Sequence, residues 1–310
     1  MNERMQLHHL DLNLLIALDA LLTDCNITAA GRRVHLTQSA MSGALSRLRE
    51  FFGDELLTPV GRKMIRTTLG ERLAEPVRAI LLKIQETLAL VPTFDPKQSR
   101  RRFSMMMSDY VSTVLMPLVL ARVQREAPHV EIEVLSNDSS HPLEILERAD
   151  VDFIIMPSMY LHKTHPSTVV FDDDYVCVAW EGNEQVREAL SVDQYFSMGH
   201  ISVQFGRSNA PMADNFINSQ FGKRRRVEVI AMNFNALIQY VVGTTRLAIV
   251  HRRLANYYAA HHPIRLLEPP FEIPRITESM QWHNCFDADP GSRWLRETIL
   301  AVANEVTAAM

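Results

Sequence analysis

Residues 28–52 constrain this chain more than any other stretch. Thr28 suits the N-cap of a short helix over 29–34, and the small side chains of Ala29 and Ala30 permit a close helix crossing. His35 and Leu36 make a brief turn, and Thr37 caps a longer helix that runs to about Phe52. Ahead of this pair, residues 11–22 place Leu14, Leu15, Leu18, Leu21 and Leu22 on one side of another helix. Two helices separated by so short a turn read as a helix-turn-helix, whose second helix enters the major groove of duplex DNA.

The faces of that second helix divide cleanly. Met41, Ala44, Leu45, Leu48 and Phe52 recur at three and four residues and must pack inward. The other face holds Gln38, Ser39, Ser42, Gly43, Ser46, Arg47 and Arg49, small and polar at first and then basic. Short side chains let a helix sit deep in the groove, and Gln and Arg can make bidentate contacts to base edges. Residues 55–66 follow as two short extended pieces about Gly61 with a basic tip, the pattern of a β-wing laid along phosphate. The candidate DNA contacts are Thr28, Arg32, Arg33, Thr37, Gln38, Ser39, Ser42, Ser46, Arg47, Arg49, Arg62, Lys63 and Arg66. Residues 69–91 then predict one long helix with Leu73, Val77, Ile80, Ile84, Leu88 and Val91 near a heptad seam. Such a stripe needs a partner, and a symmetric dimer matches a pseudo-palindromic operator.

Charge supports this division. The whole chain is at -4, yet residues 28–66 carry seven basic and three acidic side chains. From residue 94 onward there are 21 basic and 26 acidic side chains, so a small basic region is joined to a larger acidic one. The length of 310 residues predicts two or three domains, and 47% hydrophobic with 22% charged residues excludes a disordered or fibrous chain. No apolar run approaches a membrane span, and the N-terminus has no secretory apolar region, so the expectation is a cytoplasmic protein without membrane contact. Cys25, Cys177 and Cys285 are too far apart for a CxxC module and read as free core thiols. The adjacent pairs His8-His9 and His261-His262 do not present ligands to one metal. No metal, cofactor or catalytic residue is expected, because no nucleophile elbow, phosphate-binding glycine loop or zinc motif occurs.

Residues 94–100 are polar and proline-bearing, a hinge. Beyond them strands and helices alternate: strands over 102–107, 130–135, 151–156, 175–180, 201–204 and 227–230, with helices to about 126, over 142–148 and over 234–242. This alternation predicts parallel α/β sheets. Met105, Met106 and Met107 alternate faces on a strand and read as core, with one open to a pocket. The basic run Lys223, Arg224, Arg225 and Arg226 has two readings, a nucleic-acid patch or a solvated strand entry, and the second is favoured.

Leu12-Asn13-Leu14, Thr28-Ala29-Ala30, Leu36-Thr37-Gln38-Ser39-Ala40-Met41-Ser42 and Leu45-Ser46-Arg47-Leu48-Arg49 closely resemble the N-terminal signature of LysR-type transcriptional regulators. Ser39 departs from it, since many relatives have proline there. The resemblance implies an α/β fold: a winged helix-turn-helix over 1–67, a linker and dimerisation helix over 68–93, and a periplasmic-binding-protein-like sensor over 94–310. That sensor is two-lobed, lobe I at about 100–170 and 273–310 and lobe II at about 171–272, with an effector cleft between. Phe94-Asp95-Pro96, Met198-Gly199-His200, Val203-Gln204-Phe205-Gly206-Arg207, Lys223-Arg224-Arg225-Arg226-Val227 and residues 289–296 resemble one subgroup. It contains the nodulation-gene activators, which answer flavonoids, and activators of salicylate, nitrotoluene, chlorophenol and lindane breakdown.

The resemblance implies a homotetramer, built as a dimer of dimers, on an interrupted palindrome in double-stranded DNA. It also implies an aromatic, phenolic effector and contact with RNA polymerase at a catabolic operon. Candidate effector contacts are Ser108, Asp109 and Tyr110 at a strand-to-helix turn, Gln204, Phe205 and Arg207 at a strand end of the other lobe, and Asn233 and Phe234 at a helix start. Phe205 could stack on a ring and Arg207 pair with a carboxylate or phenolate, while Asp109 is either a contact or a helix cap. The rival classes are a solute-binding protein on the same scaffold and an enzyme; tight, salt-dependent duplex binding discriminates against both.

Overall fold

In a computed structural model the described residues are 11, 13–61, 63–89, 94–136, 142–204, 210–222 and 225–308. The backbone groups into two compact units, Met1–Val91 and Pro92–Met310.

The first unit begins with α1 (Asn13–Asp24), which buries Leu14, Leu15, Leu18, Leu21 and Leu22 as its stripe requires. The second helix starts two residues earlier than expected. Asn26, not Thr28, is the N-cap of α2 (Ile27–Arg33): its carboxamide oxygen accepts the Ala29 N–H at 3.0 Å. Thr28 therefore sits exposed in the first helical turn. The turn closes tightly, with the Leu36 N–H donating to the Gly31 carbonyl at 2.8 Å. A Cβ at Gly31 would lie 2.8 Å from the Leu36 carbonyl oxygen, so the close approach requires glycine. Thr37 caps α3 (Gln38–Phe52) through a 3.2 Å bond from the Ala40 N–H, and Gly53 ends it at φ 62°. Met41, Ala44, Leu45 and Leu48 are buried against α1, and each of the larger three is worth roughly 1.5–3 kcal/mol of apolar burial.

The wing is a hairpin of β1 (Leu57–Val60) and β2 (Lys63–Arg66), in register from Leu57 opposite Arg66 to Val60 opposite Lys63. Beyond it lies α4 (Thr68–Ala89). Its apolar residues do not form one seam. Leu73 and Val77 pack into the core of the first unit, and Arg78 pairs with Asp19 of α1 at 2.9 Å. Ile80 and Ile84 are 48% and 39% exposed. The side chain of Leu88, and Val91, lie outside the described residues.

In the second unit β3 (Arg102–Met107) leads to α5 (Asp109–Glu126), β4 (Glu131–Ser136), α6 (Pro142–Glu147), β5 (Phe153–Pro157) and β6 (Ser167–Asp173). The chain then crosses at Asp174 into β7 (Tyr175–Trp180), α7 (Val192–Ser197), β8 (Gly199–Val203), α8 (Met212–Phe221), β9 (Arg226–Ala231), α9 (Phe234–Val241), β10 (Leu247–His251), α10 (Arg252–Ala259) and β11 (Ile264–Leu267). It returns through β12 (Ile276–Gln281) and ends in α11 (Pro290–Ala308). Two five-stranded sheets result, ordered β4-β3-β5-β12-β6 and β11-β7-β10-β8-β9.

The expectation of purely parallel sheets is corrected. β3 pairs in parallel with β4 and β5, and β8 with β9 and β10, but β12 runs antiparallel to β5 and β6, and β7 antiparallel to β10 and β11. The antiparallel members are the strands that carry the chain into and out of each lobe, which a strand-helix alternation does not register. Met105 and Met107 join the main core and Met106 a second cluster on the opposite face. The basic run is corrected as well. Arg225 is 7% exposed, pairs with Asp214 and donates to the Tyr195 hydroxyl at 3.1 Å, so it is a buried ion pair and not a solvated strand entry. Arg226 is exposed beside Glu228 at 3.2 Å, and Lys223 and Arg224 lie outside the described residues.

Candidate functional site

Helix α3 presents Gln38, Ser39, Ser42, Gly43, Ser46 and Arg47 to solvent as one polar face. Thr37 is exposed at its start, where its hydroxyl caps the helix and lies 3.0 Å from that of Ser39. The basic residues divide by what they touch. Arg49 donates to the carbonyl oxygens of Glu55 and Leu57, both at 2.9 Å, and pairs with Glu55. Arg66 donates to the Leu22 carbonyl at 2.6 Å and pairs with Glu71, and Arg33 pairs with Asp24 at 2.7 Å. These three guanidinium groups fasten the wing and the helices to one another, a role that charge counting cannot separate from phosphate contact. Arg32, Arg47 and Lys63 are exposed, and their side chains make no hydrogen bond or ion pair among the described residues. Arg62, expected at the wing tip, lies outside the described residues.

The second unit brings two helix starts together, one from each sheet. Ser108 caps α5, accepting the Val111 N–H at 3.2 Å, and Asn233 caps α9, accepting the Ala236 N–H at 2.8 Å. The Asp109 carboxylate reaches across and accepts the N–H groups of Phe234 at 3.3 Å and Asn235 at 2.7 Å. Asp109 thus caps the helix of the opposite lobe, where the positive end of the helix dipole favours a negative charge. Burial pushes its pKa up, against the lowering effect of those amides. The Asn235 carboxamide also donates to the Thr113 hydroxyl at 3.0 Å, a second tie between the lobes.

Of the expected effector contacts, Ser108, Asp109 and Asn233 are half-buried at this junction, and Gln204 is half-buried at the end of β8. Tyr110 is 1% and Phe234 6% exposed, so both are walls of the core. The Tyr110 ring stacks on His251, with centroids 3.8 Å apart, and its hydroxyl donates to Asp173 at 2.6 Å. Phe205 and Arg207 lie outside the described residues.

Beneath the junction is a buried polar cluster that the sequence reading missed. Asp173 accepts from Tyr110 and from the Arg253 N–H of α10 at 3.2 Å, joining the two lobes again. Glu278 of β12 is 2% exposed with its Oε2 unpartnered among the described residues, and burial followed by the nearby Asp173 charge pushes its carboxyl up to about 8. His251 is 3% exposed, and burial pushes it down to about 3, so its ring is neutral. The available signal was the run Asp172-Asp173-Asp174 between two apolar strands, which reads as a turn unless the crossing of lobes is known. Burial also pushes Cys177 up to about 12, and Cys285 is buried, so both behave as core residues. Cys25 is only half-buried. No group of three metal-ligating side chains occurs among the described residues, and no described helix is long and apolar enough to cross a membrane.

Comparison with known proteins agrees with this architecture. Residues 12–71 match the family described as bacterial regulatory helix-turn-helix protein, lysR family, and residues 96–304 match the LysR substrate binding domain. The chain is 40% identical over 305 residues to Nodulation protein D 1 of Bradyrhizobium sp. (strain NC92), covering 98% of this chain and 97% of that one. It is 42% identical over 303 residues to Nodulation protein D 1 of Sinorhizobium fredii (strain NBRC 101917 / NGR234), covering 97% and 94%. Among solved structures, the probable transcriptional regulator PA0477 from Pseudomonas aeruginosa superposes with TM-score 0.70 at 28% identity, covering 94% of this chain and 97% of that one. CbnR, at 14% identity and TM-score 0.59 over 95% and 99%, shares the fold. These relatives are regulators and not enzymes. With a helix-turn-helix at one end, a two-lobed α/β sensor at the other, and both family matches falling on those parts, the chain belongs to the LysR family of DNA-binding transcriptional regulators.

Proposed function

We propose that this regulator is an activator whose sensor answers an aromatic phenol and whose homotetramer, a dimer of dimers, occupies an interrupted palindrome. The effector favours one arrangement of the lobes, and that preference is transmitted to the bound DNA and to RNA polymerase at a (chloro)aromatic catabolic operon. The DNA half rests on the exposed face of α3, where Arg47 shares a face with Gln38, Ser42 and Ser46, and where Arg47, like the exposed Arg32 and Lys63, has no side-chain hydrogen bond or ion pair among the described residues. Thr28, Thr37, Ser39 and Arg62 complete the contact set, and Arg33, Arg49 and Arg66 support it from within.

The effector class rests on Asp109. The N-terminus of α9 would attract an anion, but the Asp109 carboxylate already fills that position. A ligand entering between Ser108, Asp109 and Gln204 meets an acceptor, which suits a phenolic hydroxyl that donates better than a carboxylate that repels. Phe205 and Arg207 are proposed to complete the pocket. A second reading keeps the mechanism and changes the target: identity of 40–42% over nearly the whole chain to nodulation proteins favours nodulation genes and a polyphenol inducer.

The test is a gel-shift titration on the DNA upstream of the chain's own gene, at two salt concentrations and with phenols, chlorophenols and flavonoids. A specific shift that weakens steeply with salt and changes mobility with one compound is expected. A salt-insensitive or sequence-indifferent shift removes the DNA half, and indifference to every compound removes the phenol.

A further inference from the structure

Between β5 and β6 the chain runs through residues 158–166, and side chains fasten this segment to β12. The Ser158 hydroxyl donates to the Thr277 carbonyl at 3.0 Å and lies 2.6 Å from the hydroxyl of Ser279. Gln281, fully buried, accepts the His162 N–H at 2.9 Å and donates to the carbonyls of His162 at 2.7 Å and His165 at 3.2 Å. The Trp282 N–H closes the seam on the Pro166 carbonyl at 3.2 Å. Because β5 runs parallel to β3, the segment leaves its sheet at the same edge as Ser108.

Three imidazoles meet on this seam. The ring centroids of His162 and His165 are 5.4 Å apart, and those of His165 and His283, just beyond β12, are 4.8 Å apart. Their Nδ1 atoms suit neutral rings. His283 Nδ1 accepts the Cys285 N–H at 3.1 Å, so a proton there sets donor against donor. His165 Nδ1 is buried with no hydrogen-bond partner among the described residues, so a proton there finds no acceptor. His162 Nδ1 faces the Thr164 N–H at 3.4 Å and the Thr164 hydroxyl at 2.6 Å. The carboxylate that meets the cluster is that of Glu147 at the end of α6, 3.4 Å from His162 Nε2. Of the other charged groups on these segments, Asp287 accepts the Trp282 indole N–H at 3.0 Å, Arg148 and Asp150 follow α6, and Lys163 is exposed. No group of three side chains among the described residues is arranged to hold a metal ion, so the rings are a packed cluster and not a metal centre.

We propose that His162, His165 and His283 form an acid-sensitive latch, which holds residues 161–166 against β12 at neutral pH and releases them as the rings take up protons. Glu147 stabilises a first proton on His162; a second, on His165 or His283, meets that charge across one ring contact and has no carboxylate of its own. Burial pushes the His165 pKa down, opposed by its bond to the Asn284 side chain and reinforced by the neighbouring His162. A released, solvated ring therefore binds its proton first as pH falls. The latch is at full strength above about pH 6.5 and weakens below it. Proton uptake is then linked reciprocally to any ligand that prefers the latched segment.

Hydrogen exchange of the full chain, read by mass spectrometry at about pH 7.5 and about pH 5.5 and corrected for the intrinsic rate, tests the latch. Peptides over 160–167 and 281–287 contain the His162, Trp282 and Cys285 amides that the latch holds. Their protection is expected to fall by at least about tenfold in acid, since one pH unit is worth up to about tenfold for each proton bound on release. Helix α5, in the core of the same lobe, should keep its protection. His165→Gln combined with His283→Asn, which retains a side-chain acceptor for the Cys285 amide, should match the parent at neutral pH and lose less than about threefold in acid. His129→Gln, at an exposed histidine outside the cluster, should behave as the parent does. Glu147→Gln removes the counter-ion of His162 and should deepen the acid loss; it decides the matter if the double variant is already unprotected at neutral pH. The proposal is overturned if the parent is equally protected at both pH values, if α5 loses as much, if the double variant falls as the parent does, or if Glu147→Gln changes nothing. None of these readings depends on DNA or on a phenol, so the proposed regulatory function stands or falls separately.

Discussion

At the scale of single residues, neighbouring side chains of one type have opposite roles, and burial decides which. Arg47 and Arg49 are two positions apart on α3, yet Arg47 is exposed and without a side-chain partner among the described residues, while Arg49 bonds two carbonyl oxygens at the base of the wing. Arg47→Ala is expected to change stability by less than about 0.5 kcal/mol and to weaken operator binding by about 1–3 kcal/mol. Arg49→Ala is expected to cost about 1–3 kcal/mol of stability, because it removes a charged donor to two carbonyl oxygens. Urea melts and fluorescence anisotropy on each variant separate the two; equal stability losses would refute the division. Glu278 gives a pH signature. Its folded value of about 8 exceeds the ordinary 4.5, so its contribution is fully present below pH 4.5 and is lost as pH rises toward 8. Glu278→Gln should therefore gain melting temperature over the parent at pH 8 and gain little at pH 4.5. A constant offset across that range would show that Glu278 does not titrate in the fold.

At the scale of elements, the sensor is organised by helix starts that borrow their caps from across the lobe junction. Asp109 begins α5 but caps α9, so removing it exposes two N–H groups of a helix in the other lobe. Asp109→Ala should speed amide hydrogen exchange at Phe234 and Asn235, whereas Ser108→Ala should speed it at Val111 alone; exchange confined to α5 in both variants would sever the proposed tie. This cross-lobe cap was only half legible in the sequence. Ser108-Asp109 marked a helix start by residue type, but which helix the carboxylate serves depends on a lobe contact spanning more than 120 residues. The apolar runs of β5 and β7 and the split face of α3 were legible, because burial there follows the local period. β6 and β12 were not, since Asp173 and Glu278 interrupt their apolar pattern with buried carboxyl groups. Helix α11 starts at Pro290-Gly291, where proline suits a first helical position because no intrahelical N–H donor is needed there.

At the scale of the whole molecule, the two-fold symmetry of an operator must be matched by symmetry in the protein. The stripe of α4 divides between two tasks: Leu73 and Val77 close the core of the first unit, and Ile80 and Ile84, one helical turn apart, remain exposed. A pair of β-branched side chains at that spacing, on the half of a 22-residue helix beyond its own core, is suited to the same pair on a second copy. Neither isoleucine belongs to the buried core of the first unit, so replacing both by Glu should leave the thermal melt of that unit nearly unchanged. Sedimentation of the Ile80→Glu, Ile84→Glu chain should nevertheless show loss of the dimer at micromolar concentration. Its affinity for a full palindrome should fall toward that for a half-site, because the linked second contact is lost. A double variant that sediments as the parent does, and still prefers the full palindrome, would move the dimer contact off α4. The slope of log affinity against log salt carries the complementary information: fewer neutralised phosphates per bound molecule must make it shallower in the double variant.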